Sequence, residues 1–293
     1  MATVIELPIE TYAGPVEPDW CPGCGDFGVL KAVKMAAGKL GIAPKDIVVV
    51  SGIGCSSNTP GFIHAYGVHS LHGRAVAVAS GIKLANHDLN VVITGGDGDG
   101  YGIGIGHFIH AMRRNLDLTY VVMNNQVYGL TTGQASPTTT KEHKTKTTPR
   151  GNVELPINPL MLALASGATY IARAFSGEPN HMADIIAGGM SHHGFALIDV
   201  FSPCVTYNKL NTYPWFKQRV YKLEKEPGFA RDDFNAALKK ALEWGDRIPI
   251  GLFYKDDQPT YEDSEPAFRR GPLVRQTLGL PKETFDEFVS EFY

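Results

Sequence analysis

Three observations predict a doubly wound, mostly parallel α/β sheet with an irregular C-terminal extension. The apolar runs are continuous rather than alternating, segments of helical character separate them, and the runs end in glycines and polar residues. A strand covered on both faces has no solvent side, so it reads as an unbroken apolar stretch. Strands that alternate with helices build βαβ units. Residues 1–208 are expected to form this domain. Residues 209–293 are expected to add a helix, a strand and an arm that pack on it or on a partner subunit.

The elements follow in order. A helix over 28–40 precedes the first strand, "DIVVVSG" (46–52). A helix over 75–88 leads to "LNVVITGG" (89–96), and one over 102–115 to "LDLTYVVMNN" (116–125). A helix over 158–167, a weaker strand "ATYIARAF" (168–175), a helix over 180–192 and the strand "GFALIDVFS" (194–202) complete the domain. After Cys204 the chain turns aromatic, charged and irregular. A short helix over 230–245 and a strand-like 247–254 follow, then a polar arm.

Composition narrows the classes of function. With 43% hydrophobic and 19% charged residues and a net charge of −3, nothing marks a nucleic-acid binder. No apolar run approaches the roughly 20 residues of a membrane span. The first residues lack the basic start and apolar stretch of a secretory signal. Four cysteines in so long a chain argue against a disulfide scaffold. The chain is therefore expected to be cytoplasmic, where converging thiols bind a metal or a cluster.

Ligands of open parallel sheets bind outside the carboxyl ends of the strands. Here those ends run into "GIGCSSNTPG", "GGDGDGYGIGIG", "NNQVYGLTTGQ" and "SPC". One edge thus receives Cys55, Asp97, Asp99, Asn124, Asn125 and Cys204. In "GGDGDG" the glycines let the backbone approach an anion and free a carboxylate for a hard cation. A plain tight turn is the alternative, and no late acidic ribose partner supports a dinucleotide fingerprint. The pairing with "NN", 28 positions after Asp97, favours the ion. Asp97, Asn125 and a main-chain carbonyl offer Mg²⁺ three oxygens, with diphosphate and water completing the octahedron. A helix starting near Gly102 would aim its amides at the same diphosphate.

Cys21-x-x-Cys24, Cys55 and Cys204 use every cysteine in the chain. Structural zinc sites usually draw on two close C-x-x-C knuckles, and only one is present. The scatter favours an iron–sulfur cluster, with zinc still open.

The G-D-G and N-N pair resembles the diphosphate-binding motif of thiamine diphosphate enzymes. That resemblance implies the diphosphate-type domain of their fold, with Mg²⁺ on Asp97, Asn125 and the Val127 carbonyl. "CPGCGDFG", "SGIGCSS", "LHGRAVAVASGIKLAN", "GGDGDG", "NNQVYGLTTGQASPTT", "FSPC" and "PIGLFY" cover most of residues 17–254. Together they resemble the β subunit of 2-oxoacid:ferredoxin oxidoreductases. The resemblance implies one 4Fe-4S cluster on Cys21, Cys24, Cys55 and Cys204. It implies thiamine diphosphate contacts from Ile53, Gly54, Cys55, Ser56, His72, Gly98, Asp99, Gly129 and Leu130. It implies substrate-facing positions at Asn58, Leu130 and Thr131.

The same resemblance assigns the activating glutamate and much of the 2-oxoacid and coenzyme A site to an α subunit. The chain would then be half of a hetero-oligomer, α2β2, that reduces an external ferredoxin. Pyruvate enzymes of the family tend to carry asparagine where this chain has Leu130, which leans the expectation toward 2-oxoglutarate. The expected reaction converts 2-oxoglutarate and coenzyme A to succinyl-CoA and CO₂, reversibly, so that it fixes CO₂ in the other direction. Pyruvate or a broad 2-oxoacid range is the second expectation. Two other classes compete: a zinc-stapled nucleotide-binding module, and a thiamine decarboxylase whose cluster is only structural. The basic run "KEHKTKTTPR" (141–150) is expected to be a solvated loop or a lid.

Overall fold

The computed structural model describes residues 5–277 and 279–292. In chain order the elements are α1 (Gly25–Lys39), β1 (Ile47–Ser51), β2 (Tyr66–His69), α2 (Ala75–Ala85), β3 (Asn90–Gly96), α3 (Ile105–Arg113) and β4 (Thr119–Asn124). Then come α4 (Pro159–Ala165), β5 (Tyr170–Phe175), α5 (Pro179–Met190) and β6 (Ala196–Phe201). The C-terminal segment adds α6 (Tyr213–Lys217), β7 (Val220–Lys222), α7 (Phe234–Ala241), β8 (Ile248–Lys255), α8 (Tyr261–Ser264) and α9 (Lys282–Ser290).

One eight-stranded sheet runs in the order β2-β1-β3-β4-β6-β5-β8-β7. The six strands from β2 to β5 are parallel, and β8 enters antiparallel to β5. Helices cover both faces, which explains the unbroken apolar runs. On one face α1 and α5 bring Val29, Val33, Ile185 and Ile186 onto Val49, Val121 and Ile198. On the other, α2, α3 and α4 bring Val76, Phe108, Met112 and Leu160 onto Val50, Ile93 and Val122. Each such side chain, fully buried, stabilises the fold by roughly 1.5–3 kcal/mol. Among the described residues no helix is long and apolar enough to cross a membrane.

Three features depart from the sequence expectation. β2 is an exposed edge strand and β7 has three residues, so neither carries an apolar run to betray it. α1 begins at Gly25, directly after Cys24, three residues earlier than expected. The helix expected from 102 begins instead as a wide turn over Gly98–Ile103, immediately behind Asp97, and breaks at Gly102 (ψ −109) before α3. The segment beyond residue 209 completes the sheet through β8 and β7. Its arm is fastened to the lower edge, where Asn115 Nδ2 donates to the Gln258 and Pro259 carbonyls and Glu262 accepts from the Asp117 N–H.

Candidate active site

A cleft of about 190 Å³ opens at the carboxyl ends of β1, β3 and β4. Ile53, Gly54, Cys55, Ser56, His72, Asp97, Gly98, Asp99, Asn125, Val127, Gly129, Leu130 and Thr131 all line it. Strands far apart in sequence meet here because parallel neighbours end on the same edge.

Asp97, 1% exposed, follows β3 directly. Its Oδ2 accepts from Ser136 Oγ (2.5 Å) and Thr138 Oγ1 (2.6 Å). Burial pushes its carboxyl up to about 6, against the pull of those two hydroxyls. None of the ion pairs among the described residues involves Asp97. A buried carboxylate with no cationic partner fits a metal ion. Beyond β4 the loop turns through Gln126 (φ 61), and Asn125 Oδ1 accepts from the Val127 N–H at 3.1 Å. Asp97, Asn125 and Val127 therefore face one space, as Mg²⁺ would require.

Asp99 lines the cleft and also holds the loops around it together. Its Oδ1 accepts from the Ile53 N–H (2.9 Å), the Gly73 N–H (2.7 Å) and His72 Nδ1 (2.9 Å). It fastens the loop after β1 to the turn before α2. Because Nδ1 is engaged, His72 has Nε2 left for a bound group. Gly52 permits this approach: a Cβ there would fall 1.9 Å from Asp99 Oδ2. The Ser56 hydroxyl is buried without a partner beside the cleft. Gly54 (φ +128) leaves open space where a side chain would stand. Unmet polar groups, an unpaired carboxylate and a side-chain-free cradle suit an anionic, metal-held cofactor.

Gly98 gives the cleft a sharp test. A Cβ there would lie 2.1 Å from Tyr128 Cε1, and the Tyr128 hydroxyl donates to the Gly98 carbonyl at 3.2 Å. Gly98→Ala is expected to push this ring across the cleft and weaken thiamine diphosphate binding by at least about tenfold. Isothermal titration measures it, and unchanged affinity would show that Tyr128 is not part of the wall.

A second cavity, about 270 Å³, contains all four cysteines together with Trp20, Asn58, Leu130 and Tyr207. Cys21 and Cys24 form the turn ahead of α1, closed by a Cys24 N–H bond to the Cys21 carbonyl (2.9 Å). Cys55 opens the turn after β1, where its carbonyl accepts from Trp20 Nε1 at 2.6 Å. Cys204 follows β6, and the Tyr207 N–H donates to its Sγ at 3.4 Å. Cys21 is exposed, Cys24 and Cys55 are half-buried, and Cys204 is buried. Burial, then Asp26, Cys204 and Cys21, push the Cys55 thiol up to about 12. Cys24 is also raised, first by burial and then by Asp26. Deprotonating Cys24 and Cys55 calls for positive charge beside them.

Single-ion geometry does not supply it. Among the described residues no group of three or more His, Cys, Asp or Glu side chains gathers closely enough to hold one ion. Zinc, at ~2.3 Å from each sulfur, would draw the sulfurs into contact with one another. Four thiols around one roomy cavity fit a polynuclear iron–sulfur cluster.

The two cavities share a wall of Gly54, Cys55, Asn125, Gly129 and Leu130. A Cβ on Gly129 would sit 3.4 Å from Cys55 Sγ and 3.7 Å from Cys204 Sγ. Of the substrate-facing candidates, Leu130 (61% exposed) borders both cavities and Thr131 the cleft. Asn58 lies in the cysteine cavity. The basic run 141–150 reaches the same rim, where Lys146 Nζ donates to Thr132 Oγ1 at 3.0 Å.

Sequence reasoning passed over Asp26 and the turn at 136–139. Asp26 is 1% exposed, accepts from Ser202 Oγ at 2.6 Å and is pushed up to about 6 by burial. Its signal was an acid beside a glycine at a helix start. Ser136 and Thr138 stand in the quoted stretch "NNQVYGLTTGQASPTT", but only the folded chain brings their hydroxyls to Asp97.

A diphosphate-type cleft at the strand ends of a parallel sheet defines a thiamine diphosphate enzyme domain. Residues 51–200 match the family "Thiamine pyrophosphate enzyme, C-terminal TPP binding domain", and 204–270 match the C-terminal family of the pyruvate ferredoxin oxidoreductase beta subunit. The 2-oxoacid:ferredoxin oxidoreductase 1 subunit beta of Aeropyrum pernix is 50% identical, over 97% of this chain and 95% of that one. The 2-oxoglutarate synthase subunit KorB of Archaeoglobus fulgidus is 48% identical over 81% and 84%. A solved 2-oxoglutarate:ferredoxin oxidoreductase from Magnetococcus marinus, with 2-oxoglutarate, coenzyme A and succinyl-CoA bound, superposes with a TM-score of 0.89. It is 42% identical and 96% of each chain is covered. The chain belongs to the β subunits of the 2-oxoacid:ferredoxin oxidoreductases, enzymes completed by an α subunit.

Proposed function

We propose that this subunit serves a 2-oxoglutarate:ferredoxin oxidoreductase, which converts 2-oxoglutarate and coenzyme A to succinyl-CoA and CO₂ while reducing ferredoxin. The observation that carries the reading is the shared wall: Cys55 and Gly129 border both the cofactor cleft and the cysteine cavity. Leu130 on that wall, the Archaeoglobus relative and the Magnetococcus structure favour 2-oxoglutarate.

Bound in the cleft, thiamine diphosphate supplies a nucleophilic carbon and an electron sink, and a 4Fe-4S cluster beside it supplies a one-electron acceptor. Asp97, Asn125 and the Val127 carbonyl would hold Mg²⁺ against the diphosphate. Ile53, Gly54, Ser56, Gly98 and Gly129 shape the pocket, while Asp99 holds His72 so that Nε2 can meet the cofactor. Cys21, Cys24, Cys55 and Cys204 would hold the single cluster. Tyr66, Leu71, Ile103 and Leu130 stand 55–75% exposed. The first three lie on β2, the turn after it and the turn behind Asp97, and such apolar surface beside a cleft is suited to burial against a partner. The α subunit would bury it and bring the missing glutamate, in an α2β2 assembly of the cytoplasm. α9 carries further exposed apolar side chains, Phe285 and Phe288, that a partner could bury.

A second reading, a broad 2-oxoacid range, draws on the name of the Aeropyrum relative. The α and β subunits purified together decide between them. Coenzyme A-dependent dye reduction across a 2-oxoacid panel is expected to favour 2-oxoglutarate over pyruvate by at least about tenfold in kcat/KM, a difference of ~1.4 kcal/mol. Equal values for both acids would establish the broad range.

A further inference from the structure

We infer that Ser136 and Thr138 are positioning residues for the metal ion, carried on a turn that couples the two halves of its binding motif. The inference rests on the proposed Mg²⁺ site and names the residues that set its geometry.

The turn reaches both halves. On the first, Ser136 Oγ and Thr138 Oγ1 converge on Asp97 Oδ2 at 2.5 and 2.6 Å. A carboxylate can turn about its last bond. Two donors on one oxygen fix its plane and leave Oδ1 for a single bond to the ion. Thr138 Oγ1 also approaches Asn124 Oδ1 at 3.0 Å, but a hydroxyl has one proton. The charged acceptor and the shorter distance assign that proton to Asp97.

On the second half, Thr139 Oγ1 donates to the Gln126 carbonyl at 2.6 Å, between the ligands Asn125 and Val127. The same oxygen accepts from the Ser136 N–H at 2.7 Å, so the turn is closed on itself. Asn152 Nδ2 donates to the Thr139 carbonyl at 3.1 Å and holds the turn from behind. Ser136, Thr138, Thr139 and Asn152 are each at most 4% exposed, so water cannot replace these bonds. Asp97 follows β3 while Asn125 and Val127 follow β4. The turn thus ties the two sets together in addition to strand pairing and the Tyr128 bond to the Gly98 carbonyl.

The end of β4 beside the turn is anchored in the interior. Asn124 Nδ2 donates to Asp199 Oδ1 at 3.0 Å, and Asp199 Oδ2 accepts from Arg173 Nε at 3.3 Å. Asn124 therefore stands still beside Thr138.

The test uses the co-purified αβ complex carrying Thr138→Val, Thr138→Ser or Ser136→Ala. Three quantities are read: Mg²⁺ affinity at saturating thiamine diphosphate, melting temperature without Mg²⁺, and iron content. Valine keeps the shape and removes the hydroxyl. Thr138→Val is expected to weaken Mg²⁺ about ten- to a hundredfold, the effect of losing a bond to a charged group. Thr138→Ser is expected to stay within about threefold of the parent with its metal-free melting unchanged, Thr138→Val to melt somewhat lower, and iron to stay unchanged throughout. Wild-type affinity in Thr138→Val would overturn the inference, as would equal losses in the valine and serine variants. Should the valine variant not assemble, Ser136→Ala decides on the same readings. A parent complex that fails to bind thiamine diphosphate even with Mg²⁺ would instead overturn the cofactor reading itself.

Discussion

Asp97→Ala is expected to yield a complex that keeps its iron and its brown colour but no longer retains Mg²⁺ or thiamine diphosphate. Dye reduction should fall by well over a hundredfold, since outer partners of metal ligands alone are worth roughly 10–100-fold. The reason lies in the arrangement around the carboxylate. Asp97 is buried, has two hydroxyls on one oxygen and makes no ion pair among the described residues. Removing it takes away a negative charge, a metal bond and the acceptor of Ser136 and Thr138 together. Asp97→Asn should be nearly as inactive, because a neutral amide is a poorer ligand for a hard cation. Cofactor content after gel filtration is the measurement. A variant that still carries stoichiometric Mg²⁺ and thiamine diphosphate would move the metal site elsewhere.

The second large effect is on the other cavity. Cys204→Ala is expected to lose the cluster while the diphosphate cleft survives. Cys204 does not line that cleft, and it sits beyond the end of β6, whereas the proposed Mg²⁺ ligands follow β3 and β4. Iron and labile sulfide should drop below about half of the parent's content, and electron delivery to ferredoxin should vanish. Thiamine diphosphate should still bind. An unchanged visible spectrum would mean that a different group completes the cluster. Zinc in the parent protein would revive the stapled-module reading.

How much of this the sequence disclosed depends on the kind of signal. Strands β1, β3, β4 and β6 were legible because burial on both faces writes itself as a continuous apolar run. β2 and β7 were not, being short and half-wet, and β8 showed its apolar character but not its antiparallel direction. The strand-end rule brought Cys55, Asp97, Asn125 and Cys204 to one edge, which is where they lie. It carried no trace of the bonds by which Asp99 fastens two loops, or of Asn58 lining the cysteine cavity. Ser136 and Thr138 are 39 and 41 positions from Asp97, on an irregular loop with no period to read. Contacts of that kind are decided by packing, and a residue list carries no trace of them.

The four cysteines have one more consequence, for the chain rather than for the chemistry. Cys55 and Cys204 lie 149 positions apart, and Cys21 further still. Iron bridging them, as proposed, would tie together stretches that an unfolded polymer would let wander. In a chain-entropy picture, closing a loop of that length is worth about 5 kcal/mol. Such a core would act as a mechanical rivet as well as a wire, drawing the turn after β1 to the turn after β6.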